Sequence, residues 1–308
     1  MDFFTHLLLG FVIALIVDGP NFDLSLVAAI FMSQLSDLDF MLFPLWKKLP
    51  FTGHHGITHT PIFVLSVSFL ISIIFYLLGW LDKWLLLILF LSGAVHIFGD
   101  FLGTGGVPLL YPLNKNYYKK NIDLGVSPVL MLFSLAGITS LIRAQIGSVY
   151  GLGAREVAFL LAGIFVAYYS GRAALKLYLE KKPENQGFTA LPTPSPLKWK
   201  YARKVETAEE IIVYLKTKEG LKPFPIPKAR KKAIRQREDL LCTYWHPLVQ
   251  AEMRFFEFPC YRLNCEEGRM EITWNSAEAG KVMDVQAIYE NGELRVIKRF
   301  RKKRMRIQ

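Results

Sequence analysis

Six apolar stretches dominate the first 182 residues, separated by polar and turn-forming residues. A membrane-crossing helix needs about 20 mostly apolar residues. Residues 61–80 and 154–175 meet that length, 126–144 comes close, and 84–99 is apolar with His96 near its end. Two earlier stretches, at about 3–17 and 22–36, are short for spans and flank the turn signal Asp18-Gly19-Pro20-Asn21. Read as six helices, these stretches bring both ends of the region to one membrane face. The first stretch lacks a basic leader and a small-residue cleavage site, so it reads as retained rather than as a signal peptide.

Beyond residue 182 the long apolar runs give way to period-two alternation. Strands are expected over 210–217, 253–258, 269–274, 281–290 and 293–300, the last two flanking the hairpin signal Asn291-Gly292. Residues 228–241 read as a basic helix, and the proline-rich residues 183–197 read as a linker. The expected fold is mainly α: a polytopic helical membrane domain over 1–182 with about six apolar helices, then a small β-rich (α+β) soluble domain over 198–308.

Charge sharpens this division. The net charge is +11, yet residues 1–184 hold 12 basic and 11 acidic residues while residues 185–308 hold 25 and 15. A nearly neutral apolar body thus precedes a basic module, which excludes a single soluble domain. The three cysteines, Cys242, Cys260 and Cys265, give no disulfide framework. On the six-helix reading, Lys47, Lys48, Lys115, Lys119, Lys120, Arg172, Lys176, Lys181 and Lys182 share one side, against Lys83, Arg143 and Arg155 on the other. The first side is therefore expected to be cytoplasmic, with the C-terminal domain beside it. There the basic runs at 228–232 and 299–306 would meet membrane lipids, through an anionic surface. Nucleic acid is the second polyanion considered, without a recognised motif to support it.

Candidate chemistry gathers on that same face. His6 opens the first stretch, and Asp37 and Asp39 close the second. His54, His55 and His59 precede the third, and His96 and Asp100 end the fourth. Ionisable groups beside spans are costly and point to function. His96 and Asp100 are spaced i,i+4 and so share a helix face. Imidazoles mixed with carboxylates favour Zn²⁺, with Mn²⁺ or Fe as alternatives. Seven candidate ligands (His6, Asp37, Asp39, His54, His59, His96 and Asp100) exceed one tetrahedral sphere, so one or two ions fit. Thr104-Gly105-Gly106 then forms either a plain helix-exit loop or an oxyanion cradle. Lys115, Lys119 and Lys120, interleaved with tyrosines, suit a snorkelling belt or contact with lipid headgroups.

At these residues the chain resembles the membrane-bound, metal-dependent hydrolases known as LexA-binding, inner-membrane-associated hydrolases. That family carries Thr-His, then Asp-x-Asp-His, His-Arg-Gly-x-Thr-His-Ser, and His-x-x-x-Asp followed by Thr-Gly. This chain has Thr5-His6, Asp37-Leu38-Asp39, His54-His55-Gly56-Ile57-Thr58-His59-Thr60, and His96-Ile97-Phe98-Gly99-Asp100 with Thr104-Gly105. The resemblance covers about the first 115 residues well. His55 stands where the family has arginine, and Phe40 where it has histidine. The family pattern is similar to that of zinc-dependent phospholipase C and single-strand nuclease folds, which implies phosphoester cleavage. The implied mechanism uses metal-activated water, with Asp39 or Asp100 taking the proton and His55, Thr104 and Lys115 meeting the substrate. Two other functions remain open at this point: an ion or proton transporter built on the His/Asp cluster, and a non-catalytic scaffold with a basic binding module.

Overall fold

The computed structural model describes residues 1–19, 24–38, 55–80, 83–114, 116–206, 210–217, 220–227, 243, 249, 258–266, 269–276, 284–290 and 293–300. The chain divides into two compact units, Met1–Ala174 and Leu175–Gln308.

Among the described residues the first unit is built from six α-helices: α1 (Phe3–Val17), α2 (Leu24–Leu35), α3 (Pro61–Leu77), α4 (Leu85–Leu102), α5 (Pro128–Ile146) and α6 (Ala154–Lys181), the last running on into the second unit. Each falls on a predicted apolar stretch, but only α4, α5 and α6 are long and apolar enough to cross a membrane. Of the six apolar helices expected, three are candidate spans among the described residues and three are shorter. α1, α2 and α3 have 15, 12 and 17 residues. At 1.5 Å per residue α1 and α2 reach about 18–23 Å, well short of a hydrocarbon core of about 30 Å, while α3 is one residue shorter than α4. The cause is local: Gly19 and Gly79 lie just beyond α1 and α3 with φ of 98° and 73°, the left-handed conformation that stops a helix. With three long helices, the premise of an even number of crossings fails.

α4 lies at the centre, packed against α1, α2 and α3, while α1 also packs on α5. One core cluster joins Leu8, Leu15, Ile88, Leu141 and Leu161, and another joins Met32, Val64, Leu89 and Ile97. Glycines permit the closest crossings. A Cβ at Gly10 would meet Ser33 of α2, and one at Gly93 would meet Val64 of α3 at 2.6 Å. Arg172, counted above among the loop charges, is instead buried. It donates to the Ile122 carbonyl from Nε at 3.1 Å and from Nη2 at 2.9 Å, beside Asp123, which accepts from Tyr168 Oη at 2.7 Å.

The second unit contains two four-stranded antiparallel sheets, each in sequential order. The first holds β1 (Thr189–Pro192), β2 (Trp199–Glu206), β3 (Glu210–Thr217) and β4 (Gly220–Pro227). The second holds β5 (Pro259–Glu266), β6 (Arg269–Ser276), β7 (Asp284–Glu290) and β8 (Glu293–Phe300). Leu191, Ala202 and Val213 of the first sheet share a core with Phe258, Cys260, Ile272, Trp274 and Ala287. The predicted strands at 210–217, 269–274, 281–290 and 293–300 correspond to β3, β6, β7 and β8. The stretch read as a linker carries β1, because Ala190 and Leu191 are fully buried there. β4 escaped notice because Pro223, Pro225 and Pro227 interrupt it. An edge strand tolerates proline where the missing N–H would face outward. The basic helix expected at 228–241, the basic residues 301–306 and most of the strand expected at 253–258 lie outside the described residues.

Candidate metal centre

Four segments of the first unit deliver the ionisable side chains. α1 starts at Asp2, whose carboxylate accepts from the Thr5 amide at 3.1 Å and the Thr5 hydroxyl at 2.7 Å, and His6 follows one turn later. The turn after α2 carries Asp37. Ser36 Oγ donates to the Thr58 carbonyl at 2.9 Å, tying that turn to the 3₁₀ turn Ile57–His59. Thr60 then caps α3 by accepting from the Phe63 amide at 3.2 Å, with Pro61 in the first helical position, so His59 is fixed at a helix entrance. α4 presents His96 and Asp100 one turn apart.

These segments converge. His96 Nδ1 lies 2.7 Å from the Ser33 carbonyl. A carbonyl only accepts, so Nδ1 carries a proton, and Nε2 is the nitrogen turned toward the site. His59 Nε2 is 3.4 Å from both Asp37 Oδ1 and Asp100 Oδ2. His96 Nε2 is 3.3 Å from Asp100 Oδ2, 3.7 Å from Asp37 Oδ1 and 3.3 Å from His59 Nε2. Four ligands in a tetrahedron at about 2.1 Å from an ion stand about 3.4 Å apart. Five edges of that tetrahedron are therefore matched, and the ligand atoms of Asp37, His59, His96 and Asp100 all lie within 4.8 Å of one another.

The electrostatics ask for a cation. Imidazole nitrogens and carboxylate oxygens face one another, and His59, His96 and Asp100 are almost wholly buried. Asp100 Oδ2 and both nitrogens of His6 are buried with no hydrogen-bond partner among the described residues. An orphaned carboxylate oxygen there is costly, and a cation held by the four-residue set would satisfy it. His6 stacks on His96 with ring centroids 3.7 Å apart, and its Nε2 lies 3.5 Å from Asp100 Oδ1. The Met1 ammonium also donates to Asp100. Burial favours the neutral carboxyl of Asp37, but the His59 hydrogen bond and the His96 and His6 imidazoles outweigh it and hold the group below the ordinary carboxylate range. Burial holds His59 below the ordinary imidazole value, against the pull of Asp37. Both groups are thus in their ligating forms near neutral pH.

Of the residues predicted from sequence, the structure gathers Asp37, His59, His96 and Asp100 into one ligand set with His6 against it. His55 sits outside that set. Its backbone is left-handed at φ 60°, its Nδ1 is 2.7 Å from the Gly106 carbonyl, and its ring lies parallel to His59 at 4.6 Å. Thr104 is buried in the loop after α4. Asp39, His54 and Lys115 lie outside the described residues. The sequence reading missed the Ser33 and Gly106 carbonyls, since a backbone acceptor leaves no mark in residue type.

The profile of a family described as YdjM inner membrane protein matches residues 1–178. Among curated proteins, the chain is similar to the uncharacterized protein YfhP of Bacillus subtilis (strain 168). The two are 25% identical over 232 residues, which cover 69% of this chain and 67% of that protein. No solved structure matches the chain significantly.

Proposed function

The chain belongs to the YdjM inner membrane protein family, and from that premise we propose that it is an integral-membrane, metal-dependent hydrolase that cleaves a phosphoester at a membrane face. The convergence of Asp37, His59, His96 and Asp100, with five of the six separations between ligand atoms at 3.3–3.7 Å, supports this reading. Two imidazoles with two carboxylates suit Zn²⁺ first and Mn²⁺ second. A bound divalent ion there would lower the pKa of a coordinated water towards about 7 and polarise a phosphoryl oxygen. The two carboxylates balance the charge of one such ion, and the Ser33 carbonyl keeps His96 in its ligating tautomer. His6 and Asp100 form the proton-accepting pair, because Asp100 Oδ1 faces His6 Nε2 at 3.5 Å and stabilises the imidazolium that forms. Asp39 keeps the same role as a candidate from sequence alone. His55, Thr104 and Lys115 are assigned to the substrate phosphate. The basic C-terminal unit is assigned to the cytoplasmic side, where it would meet anionic lipid; a C-terminal fluorescent-protein fusion that stays dark in cells would reverse that orientation.

The first test is elemental analysis of the detergent-purified protein beside His59→Ala and Asp100→Ala. The expected result is about one equivalent of zinc or manganese in the wild type, matching one tetrahedral set, and its loss in both variants. His6→Gln should keep the metal and lose phosphoester hydrolysis. A wild type that takes up no metal on reconstitution overturns the hydrolase reading and leaves a scaffold.

A further inference from the structure

The loop after α4 is a hairpin with a fixed base and an apolar tip. Val107 and Tyr118 exchange backbone hydrogen bonds at 2.9 Å each way, and Val107 is fully buried. The returning strand is held to the end of α4 by Lys120 N to Phe101 O and Ile122 N to Leu102 O, both 2.8 Å. Beside the base, the Gly106 carbonyl holds His55, whose ring lies against the metal-site residue His59. The tip reads Leu109-Leu110-Tyr111-Pro112-Leu113. A turn in water ordinarily carries Gly, Pro, Asn, Asp or Ser, and of these the tip holds only Pro112. Here Leu110 is 52% exposed and Leu113 is 93% exposed.

The other segments that bring site residues show the same feature. Phe3 and Phe4, in the first turn of α1 beside His6, are 53% and 36% exposed. Ile57, two residues before His59, is 39% exposed. The segments that carry His6 and His59 thus each expose an apolar side chain near the site residue. On α4, which carries His96 and Asp100, Phe98 is also exposed in the last turns. Lys120, with its Nζ 5.7 Å from the Phe101 ring, follows the hairpin as basic residues follow a span at a headgroup layer. Exposed apolar surface bordered by such residues marks an interaction site.

We propose that the 107–118 hairpin is a wedge immersed at the boundary between headgroups and acyl chains, and that the metal site draws its substrate from the bilayer as a lipid phosphoester. The second clause rests on the hydrolase reading; the first does not. The wedge is tested by placing a nitroxide at Leu113→Cys in the full chain, with Cys242 and Cys265 changed to Ser and the buried Cys260 to Ala, in phosphatidylethanolamine/phosphatidylglycerol nanodiscs. Leu113 is so exposed that the substitution disturbs no core. The nitroxide should collide with oxygen in preference to a water-soluble nickel chelate, the reverse of the same label at Lys200→Cys on β2. Equal aqueous access at the two positions overturns the wedge.

Lipid entry is tested by Leu113→Asp on two substrates with one headgroup, a long-chain phospholipid in vesicles and its short-chain soluble analogue. At least a tenfold loss on vesicles with the soluble substrate unaffected is expected. Equal rates on both substrates in wild type and variant overturn lipid entry while leaving hydrolysis intact. Turnover of neither substrate by the metal-loaded wild type overturns the hydrolase reading and lipid entry together, and the nitroxide result then decides the wedge alone.

Discussion

Replacing Gly10 by alanine should weaken metal binding although residue 10 is no ligand. A Cβ at that position meets Ser33 Oγ at 2.5 Å, Ser33 Cβ at 2.7 Å and the Ala29 carbonyl oxygen at 3.0 Å. Ordinary carbon–carbon contact is about 3.5 Å, so α1 and α2 are too close by about 0.8 Å. Rotating the Ser33 side chain relieves the Oγ clash but not the Cβ clash, and a helix backbone must move. The Ser33 carbonyl is what fixes His96 Nδ1 at 2.7 Å, and α1 itself carries His6. Disturbing the outer partner of a metal-ligating histidine costs about 10–100-fold in affinity. The expected result is a rise of that size in the zinc dissociation constant, measured by competition with a chromophoric chelator in detergent. Adding Ser33→Gly removes the two closest atoms, leaves only the Ala29 carbonyl contact at 3.0 Å and keeps the Ser33 carbonyl, so the double variant should regain most of the affinity. A folded Gly10→Ala protein that binds zinc as the wild type does would refute the reasoning, as would a double variant no better than the single one.

Three further outcomes are expected. Asp37→Asn and His96→Asn should each weaken zinc binding at least as much as Gly10→Ala, whereas His55→Ala should leave the stoichiometry unchanged in the same competition assay. In the metal-free protein, burial holds His59 below its ordinary value of 6.5, so below that pH the unfolded chain takes up a proton that the folded chain refuses. The stability His59 contributes is therefore present above about pH 6.5 and lost as pH falls, and the melting-temperature gap between wild type and His59→Gln should narrow on acidification. Arg172→Met leaves the Ile122 carbonyl and Asp123 without their buried guanidinium partner, at a cost of about 3–5 kcal/mol. Thermal unfolding in detergent should show a clear drop, and an unchanged transition would mean that this contact contributes nothing.

The sequence by itself located every α-helix among the described residues and named the candidate ligands of the site. Those candidates were legible because a histidine or aspartate beside an apolar run is expensive, and because i,i+4 spacing sets His96 and Asp100 on one helix face whatever the fold around them. β3 and β8 were legible to the residue because alternation repeats the pleat. What the sequence did not settle lies in pairings between distant segments. Whether α1 and α3 are long enough to cross a membrane turned on where the turns at Gly19 and Gly79 cut them short, a matter of a few residues that hydropathy windows blur. β1 and β4 are strands because neighbouring strands bury or tolerate residues that alone read as linker and proline-rich loop. Among the described residues, only the tertiary structure brought Asp37, His59, His96 and Asp100 together and placed His55 outside that group. That selection depends on the Ser33 and Gly106 carbonyls, whose positions come from the crossing of α1, α2 and α4 and the fold of the loop behind them, and every residue type carries the same carbonyl.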